Sequence, residues 1–187
     1  MACLSTRTAA ALAAILLLGA CASYNGRGLQ PGQSVLADVE QVMGAPAMRW
    51  READGSELLA YPRGPAGYHT YMARIGPDGR LLSLENVLDT RHFALVREGM
   101  SQDQVLRVLG PPYPGWTVYF KARDELAWEW RYCDDWNEPA RFNVFFDGTS
   151  GKVRSTGSLT ESQRFGPISI LSGFGGSDGG WRQWCSH

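Results

Sequence analysis

Apolar side chains recur at Val105, Val108 and Leu109, the i, i+3, i+4 spacing of one helix face. Ser101 is placed to cap that helix, Gln104 completes a capping box, and Met100 and Val105 fall at the two positions of a hydrophobic staple. Gly110 suits the left-handed residue that closes a helix, and Pro111-Pro112 prevent continuation. The pattern predicts a helix over residues 102–109, too short to be stable alone in water, so it must pack on something. Ahead of it, residues 89–98 predict a second short helix or turn, with Phe93 and Leu95 or Val96 pointing inward.

After the helix the period changes to two. Trp116, Val118 and Phe120 alternate with Thr117, Tyr119 and Lys121; Leu126, Trp128, Trp130 and Tyr132 alternate with Ala127, Glu129, Arg131 and Cys133; Phe142, Val144 and Phe146 form a third row. With Asp147-Gly148 as a turn and a return strand near residues 152–156, this predicts an antiparallel meander with one apolar face.

The same instructions occur earlier in the chain. Val39, Val42, Met43, Gly44, Pro46 and Trp50 recur, each 66 residues on, as Val105, Val108, Leu109, Gly110, Pro112 and Trp116. Six matches in one register identify a tandem duplication. The first copy predicts a helix over residues 35–43, less sharply started because Ala37 stands at the box position after Ser34, and weaker strands near 48–52, 58–61, 68–75 and 80–87. The expected class is therefore α+β, two tandem repeats, each of short helices followed by a three- to four-stranded antiparallel β-meander whose one face the helices cover.

The N-terminus carries a different pattern. Arg7 and the apolar run of residues 9–20 read as an export signal. Ala20-Cys21-Ala22 fits an ordinary cleavage site, whereas Leu18-Gly19-Ala20-Cys21 resembles the bacterial lipobox, which alone accounts for a cysteine at the junction and makes Cys21 the acylated residue. Anchoring through several acyl chains would be stable, and Ala22, where an aspartate would signal retention at the inner membrane, favours the outer membrane, facing the periplasm. The expected organisation is a signal over 1–20, a tether over 21–28, repeats over 29–90 and 91–158, and a Gly/Ser-rich tail over 159–187.

Composition narrows the function. Eighteen Lys+Arg against 19 Asp+Glu leave no basic footprint for nucleic acid. Seven tryptophans serve either as core filling or as interface anchors. With Cys3 in the signal, Cys133 and Cys185 remain, either bridged, as an oxidising periplasm permits, or as a buried and a loose thiol.

The phrase from Gly99 to Pro112, with Ser101, Gln104 and Gly110 inside it, is followed by Trp130-Arg131-Tyr132 and by Val144-Phe145-Phe146-Asp147 with Gly151 and Val153. Together these resemble the SmpA/OmlA, or BamE-like, family of outer-membrane lipoproteins, well over residues 93–156 and weakly over 29–88. The resemblance implies a lipid-anchored, periplasm-facing interaction module in outer-membrane protein assembly or envelope integrity, with barrel-assembly subunits or another envelope protein as partner. Two copies in one chain look more like the β-lactamase inhibitor protein, which implies the other reading, a binder or inhibitor of a periplasmic enzyme.

No constellation for catalysis stands out. Residues 175–179 match G-x-S-x-G, but the glycine-rich flanks lack the strand and helix that a nucleophile elbow requires. His69, His92 and His187 have no paired ligand at a useful spacing, and Asp134-Asp135 reads as a solvated loop. A non-enzymatic protein with no metal or cofactor is expected. Partner binding is expected on the Glu129/Arg131 row, facing out while the tryptophan row faces in, and on Trp136, which either meets a partner or packs on the tail.

Overall fold

The computed structural model describes residues 25–165 and Cys185. The expected signal, Cys21, His187 and the glycine-rich part of the tail lie outside these residues. The chain forms an α+β fold of two repeat-like halves. In the first, α1 (Leu36–Met43) is followed by β1 (Met48–Arg51), β2 (Glu57–Pro62), β3 (Thr70–Ile75) and β4 (Leu81–Asn86). In the second, α2 (Thr90–Phe93) and α3 (Gln102–Leu109) precede β5 (Val118–Phe120), β6 (Glu125–Cys133), β7 (Pro139–Asp147) and β8 (Val153–Thr160), and α4 (Glu161–Phe165) follows. Each half holds one antiparallel meander, in the orders β1-β2-β3-β4 and β5-β6-β7-β8.

The repeated phrase docks each helix onto its own sheet. Gly32 N–H donates to the Leu81 carbonyl (2.7 Å) and Leu81 N–H to the Ser34 carbonyl (2.8 Å). The second copy repeats this, with Gly99 N–H on the Val153 carbonyl and Val153 N–H on the Met100 carbonyl, both at 2.9 Å. The chain entering each helix thus hangs on the last strand of its sheet, and Gly32 and Gly99 make the turn at φ of +78° and +83°.

The starts of the two helices differ as their sequences do. At α3 the Ser101 hydroxyl accepts from Gln104 N–H (3.3 Å) while the Gln104 side chain accepts from Ser101 N–H (2.8 Å). At α1 the N-cap is Val35, which has no acceptor, and the Asp38 carboxylate supplies the reciprocal half by accepting from Val35 N–H (2.9 Å).

The layers exceed the sequence expectation. Leu59, Tyr61, Ala73 and Ile75 of the first sheet pack on Val39 and Met43 of α1. Its opposite face, with Trp50, Leu58, Ala60 and Met72, packs on Leu106 of α3, the helix of the second half. The first sheet is therefore covered on both faces, which is why β2 reads as a continuous buried run rather than an alternating one. Helix α3 lies between the sheets, with Val105 and Leu109 turned to Trp128, Trp130, Phe142, Val144 and Phe146. Phe93 and Val96 also enter this core, whereas Leu95 is exposed.

Three expectations are corrected. Val118 and Phe120 do not point inward: in β5, an outer strand of the sheet, they stand opposite Ala127 and Glu125, so they lie on the face away from Trp128 and Trp130 and are exposed. Trp116 lies in a 3-10 turn ahead of β5 rather than in a strand. Strand β8 continues to Thr160 and α4 packs on β7 and β8, so the second half extends beyond residue 158.

Candidate functional site

The seam between the halves is built around α3. The Trp50 indole N–H donates to Asp103 (3.2 Å), and Arg107 reaches both Asp103 (2.7 Å) and Glu52 (2.6 Å). At the other end of the helix, Gly110 N–H caps onto the Leu106 carbonyl (2.8 Å), and the Gly110 carbonyl accepts from the buried Trp130 indole (3.2 Å).

Beyond that cap the chain runs through Pro111 and Pro112 past a cleft of about 260 Å³. Its walls are the β2–β3 hairpin with Pro62, His69 and Thr70, the segment carrying Tyr113 and Trp116, and Trp130 with Glu129 and Arg131 of β6. The cleft is smaller than the roughly 300–1,000 Å³ of small-molecule sites. Burial pushes the His69 imidazole below its ordinary value, and its ring stacks on Tyr71 with centroids 5.7 Å apart.

A buried ionic network borders the cleft. Arg141 donates to Glu129 (2.6 Å) and Glu161 (2.7 Å), and Arg131 grips Glu161 with two hydrogen bonds of 2.7 and 2.8 Å. The Trp116 ring lies 3.9 Å from the Arg141 guanidinium, and the Tyr68 ring 4.4 Å from that of Arg131. Burial acts to raise the Glu161 pKa, but the hydrogen bonds from Arg131 and Arg141 outweigh it and hold the carboxyl below its ordinary value. Opposite charges and hydrogen bonds together meet the condition for keeping such groups out of water.

This places the sequence-predicted partner residues differently from expectation. The tryptophan row faces in, as Trp128 and Trp130 are buried. Glu129, however, is only 5% exposed, and the Arg131 side chain 14%. The charged row leaves the helix-covered face, but its charges are spent on Arg141 and Glu161 instead of being offered to a partner. Glu161 carries no sequence signal of this role beyond being a lone acid after a β-rich run, because it stands just after the last strand, at the start of the segment whose composition reads as tail.

Trp136 is 89% exposed at the tip of the β6–β7 hairpin. The Asp134 carboxylate fixes this turn by accepting from Trp136 N–H (2.9 Å) and Glu138 N–H (2.8 Å), and Asn137 takes a positive φ of 63°. Cys133, at the base of the same hairpin, is disulfide-bonded to Cys185 with Cα atoms 5.7 Å apart. His92 is held by Asp89, whose carboxylate also caps α2. Among the described residues no three His, Cys, Asp or Glu side chains are grouped to hold a metal ion. The G-x-S-x-G match lies outside the described residues.

Among the solved structures that match this chain is that of a lipoprotein. It is described as an osmotically inducible lipoprotein, OsmE, and is 33% identical over 37% of this chain and 78% of its own, with a TM-score of 0.30. No family model matches this chain, and no curated protein matches it.

Proposed function

We propose that this protein is a lipid-anchored module of the bacterial envelope that acts by binding other proteins and not by catalysis. Cys21 is the acylated residue, the outer membrane is the address, and the folded part faces the periplasm. The observation that carries the binding role is Trp136, a large aromatic held out on a braced turn at 89% exposure. Pre-ordered aromatics of this kind are the side chains that dominate protein–protein affinity. The lipobox-like junction and the Gly99–Pro112 phrase support a BamE-like role in outer-membrane protein assembly or envelope integrity.

A second reading is favoured by one specific feature, the welding of two copies into a single body around α3. Such a body presents both halves to one partner, as an inhibitor of a periplasmic enzyme would.

The test is a photo-crosslinking residue at position 136 in the full-length protein, with fractionation of a Cys21→Ala variant alongside. Capture of barrel-assembly subunits supports the first reading, and capture of a soluble periplasmic enzyme supports the second. Outer-membrane fractionation of Cys21→Ala would remove the anchor from both. No capture from 136 would sink the binding role assigned to Trp136.

A further inference from the structure

Strand β5 is one of the two outer strands of the second sheet, and its residues are exposed by 45% at Val118, 53% at Tyr119 and 39% at Phe120. Two hydrogen bonds fix which way its backbone faces. At one end of the β6–β7 ladder Gly148 N–H donates to the Asp124 carbonyl (2.8 Å), and at the other Asp134 N–H donates to the Glu138 carbonyl (3.0 Å). The register between these points is unbroken, from Glu125 opposite Asp147 to Cys133 opposite Pro139.

Antiparallel partners alternate between hydrogen-bonded and non-hydrogen-bonded pairs, so the even-numbered residues of β6 turn their backbone groups to β7 and the odd-numbered ones away from it. Glu125 and Ala127 therefore bond to Phe120 and Val118 of β5. Tyr119, between them, points its N–H and C=O out of the sheet, and none of the described residues pairs with these two groups. The Tyr119 hydroxyl is tied back to Asp124, which fixes the ring beside the strand without covering its edge.

An exposed edge of β-branched and aromatic residues is a template for another strand. The common protection is a charge on the edge itself; here the cations follow the strand, and of these the Arg123 guanidinium folds back to 4.6 Å from the Phe120 ring, leaving Val118 and Tyr119 uncovered by charge. Arg123 is neutralised by Glu125 (2.9 Å), while the exposed Lys121 has no ion-pair partner among the described residues. A second copy of this chain is the poorer occupant, because its own β5 offers Val118, Tyr119 and Phe120 and no carboxylate to set against Lys121.

We propose that the β5 edge receives an extended strand of a partner protein, paired through the Tyr119 N–H and C=O, with apolar side chains beside Val118 and Phe120 and a carboxylate facing Lys121. This names the partner's chemistry and rests on the protein-binding reading above.

The experiment uses the full-length protein, nitrogen-15 labelled in detergent, and a short blocked peptide of alternating valine and glutamate. The expected result is slowed hydrogen exchange at the Tyr119 amide and shifted resonances from Val118 to Lys121, with weaker binding by a valine–lysine peptide. Tyr119→Pro removes the outward donor without touching a bond to β6, and should weaken binding about tenfold, the equivalent of one main-chain hydrogen bond. Should that variant fail to fold, Val118→Glu leaves the backbone intact and sets like charges against the peptide. Absence of Tyr119 protection at saturating peptide overturns the inference, and so does binding by both variants as tight as that of the wild type. Tyr119 protection that grows with protein concentration alone overturns it in favour of self-pairing. If the crosslink from 136 captures an envelope protein while the peptide fails, strand addition falls and the binding reading stands. Failure of the crosslink strikes at the binding reading itself.

Discussion

Trp50 and Trp116 occupy equivalent positions of the two repeats, 66 residues apart, and each ring carries an arginine: Arg107 at 5.7 Å from the first and Arg141 at 3.9 Å from the second. The partners come from different places. Arg107 belongs to the helix of the other half, so Trp50 has become a clamp between halves. Arg141 belongs to the same sheet as the strand that follows Trp116, so that ring covers the charge network instead. One repeated residue has taken two jobs because α3 has a sheet on either side and α1 has only one.

The clamp makes the halves cooperative. Trp50→Ala removes a buried indole together with its hydrogen bond to Asp103, and should cost about 3 kcal/mol or more. Arg107→Ala removes only partly exposed ion pairs and one ring contact, so about 1 kcal/mol is expected. Chemical denaturation followed separately in each half is the measurement. Trp50→Ala should split the single transition into two, and a single unshifted transition would show that the seam carries little coupling.

A paired glycine experiment separates backbone strain from close packing. Gly99 and Gly110 have φ of +83° and +70°, but a methyl group at Gly99 meets nothing within 4 Å, whereas at Gly110 it comes within 2.7 Å of the Thr70 methyl across the seam. Gly99→Ala should therefore cost only the conformational penalty, about 1 kcal/mol, and Gly110→Ala clearly more. Thr70→Ser deletes the opposing methyl, so the double variant should recover part of the loss in a mutant cycle. Equal losses at the two glycines would show that the seam yields freely.

The bounds of helix α3 are legible to the residue because its start and stop are local instructions within Gly99–Pro112, although Gly110 closes it at φ 70° and ψ −177° rather than in the left-handed helical region, and Leu106, outside the expected apolar stripe, packs on the first sheet. The meanders were legible because Trp128, Trp130, Phe142 and Val144 keep period two against a single covering layer. The double cover of the first sheet was not legible, since Leu58 and Leu59 look alike in sequence while facing different helices. Nor was the pairing of Arg131 with Glu161, thirty positions away, because an ion pair leaves no periodic trace. Exposure of Val118 and Phe120 follows from the register that sets them opposite Ala127 and Glu125, on the face away from Trp128 and Trp130, and alternation within one strand does not encode its register on the next.

Tyr61 holds a cost inside the first core. Its side chain is 2% exposed, and its hydroxyl finds no hydrogen-bond partner among the described residues. Burial, assisted by the nearby Glu40 carboxylate, pushes its pKa up to about 12. Tyr61→Phe keeps the ring and deletes the stranded oxygen, so it should be neutral or stabilising by about 1 kcal/mol. Thermal unfolding tests this directly, and a loss of stability would reveal a partner for the hydroxyl.

Acid should act on the second half through Glu161. Its folded pKa lies below the ordinary value of 4.5 because the hydrogen bonds from Arg131 and Arg141 outweigh the opposing effect of burial. A depressed carboxylate contributes stability that is fully present above the unfolded pKa and is lost as pH falls through the folded one. The wild type should therefore weaken progressively below pH 4.5. Glu161→Gln leaves two guanidinium groups facing a neutral amide, and should cost about 3 kcal/mol at neutral pH. Its dependence on pH below 4.5 should be shallower than that of the wild type, because the titrating group is gone. Unfolding midpoints measured from neutral pH downward distinguish the cases. Curves that stay parallel through the acid range would mean that the Arg131–Glu161–Arg141 cluster does not set the acid stability of this sheet.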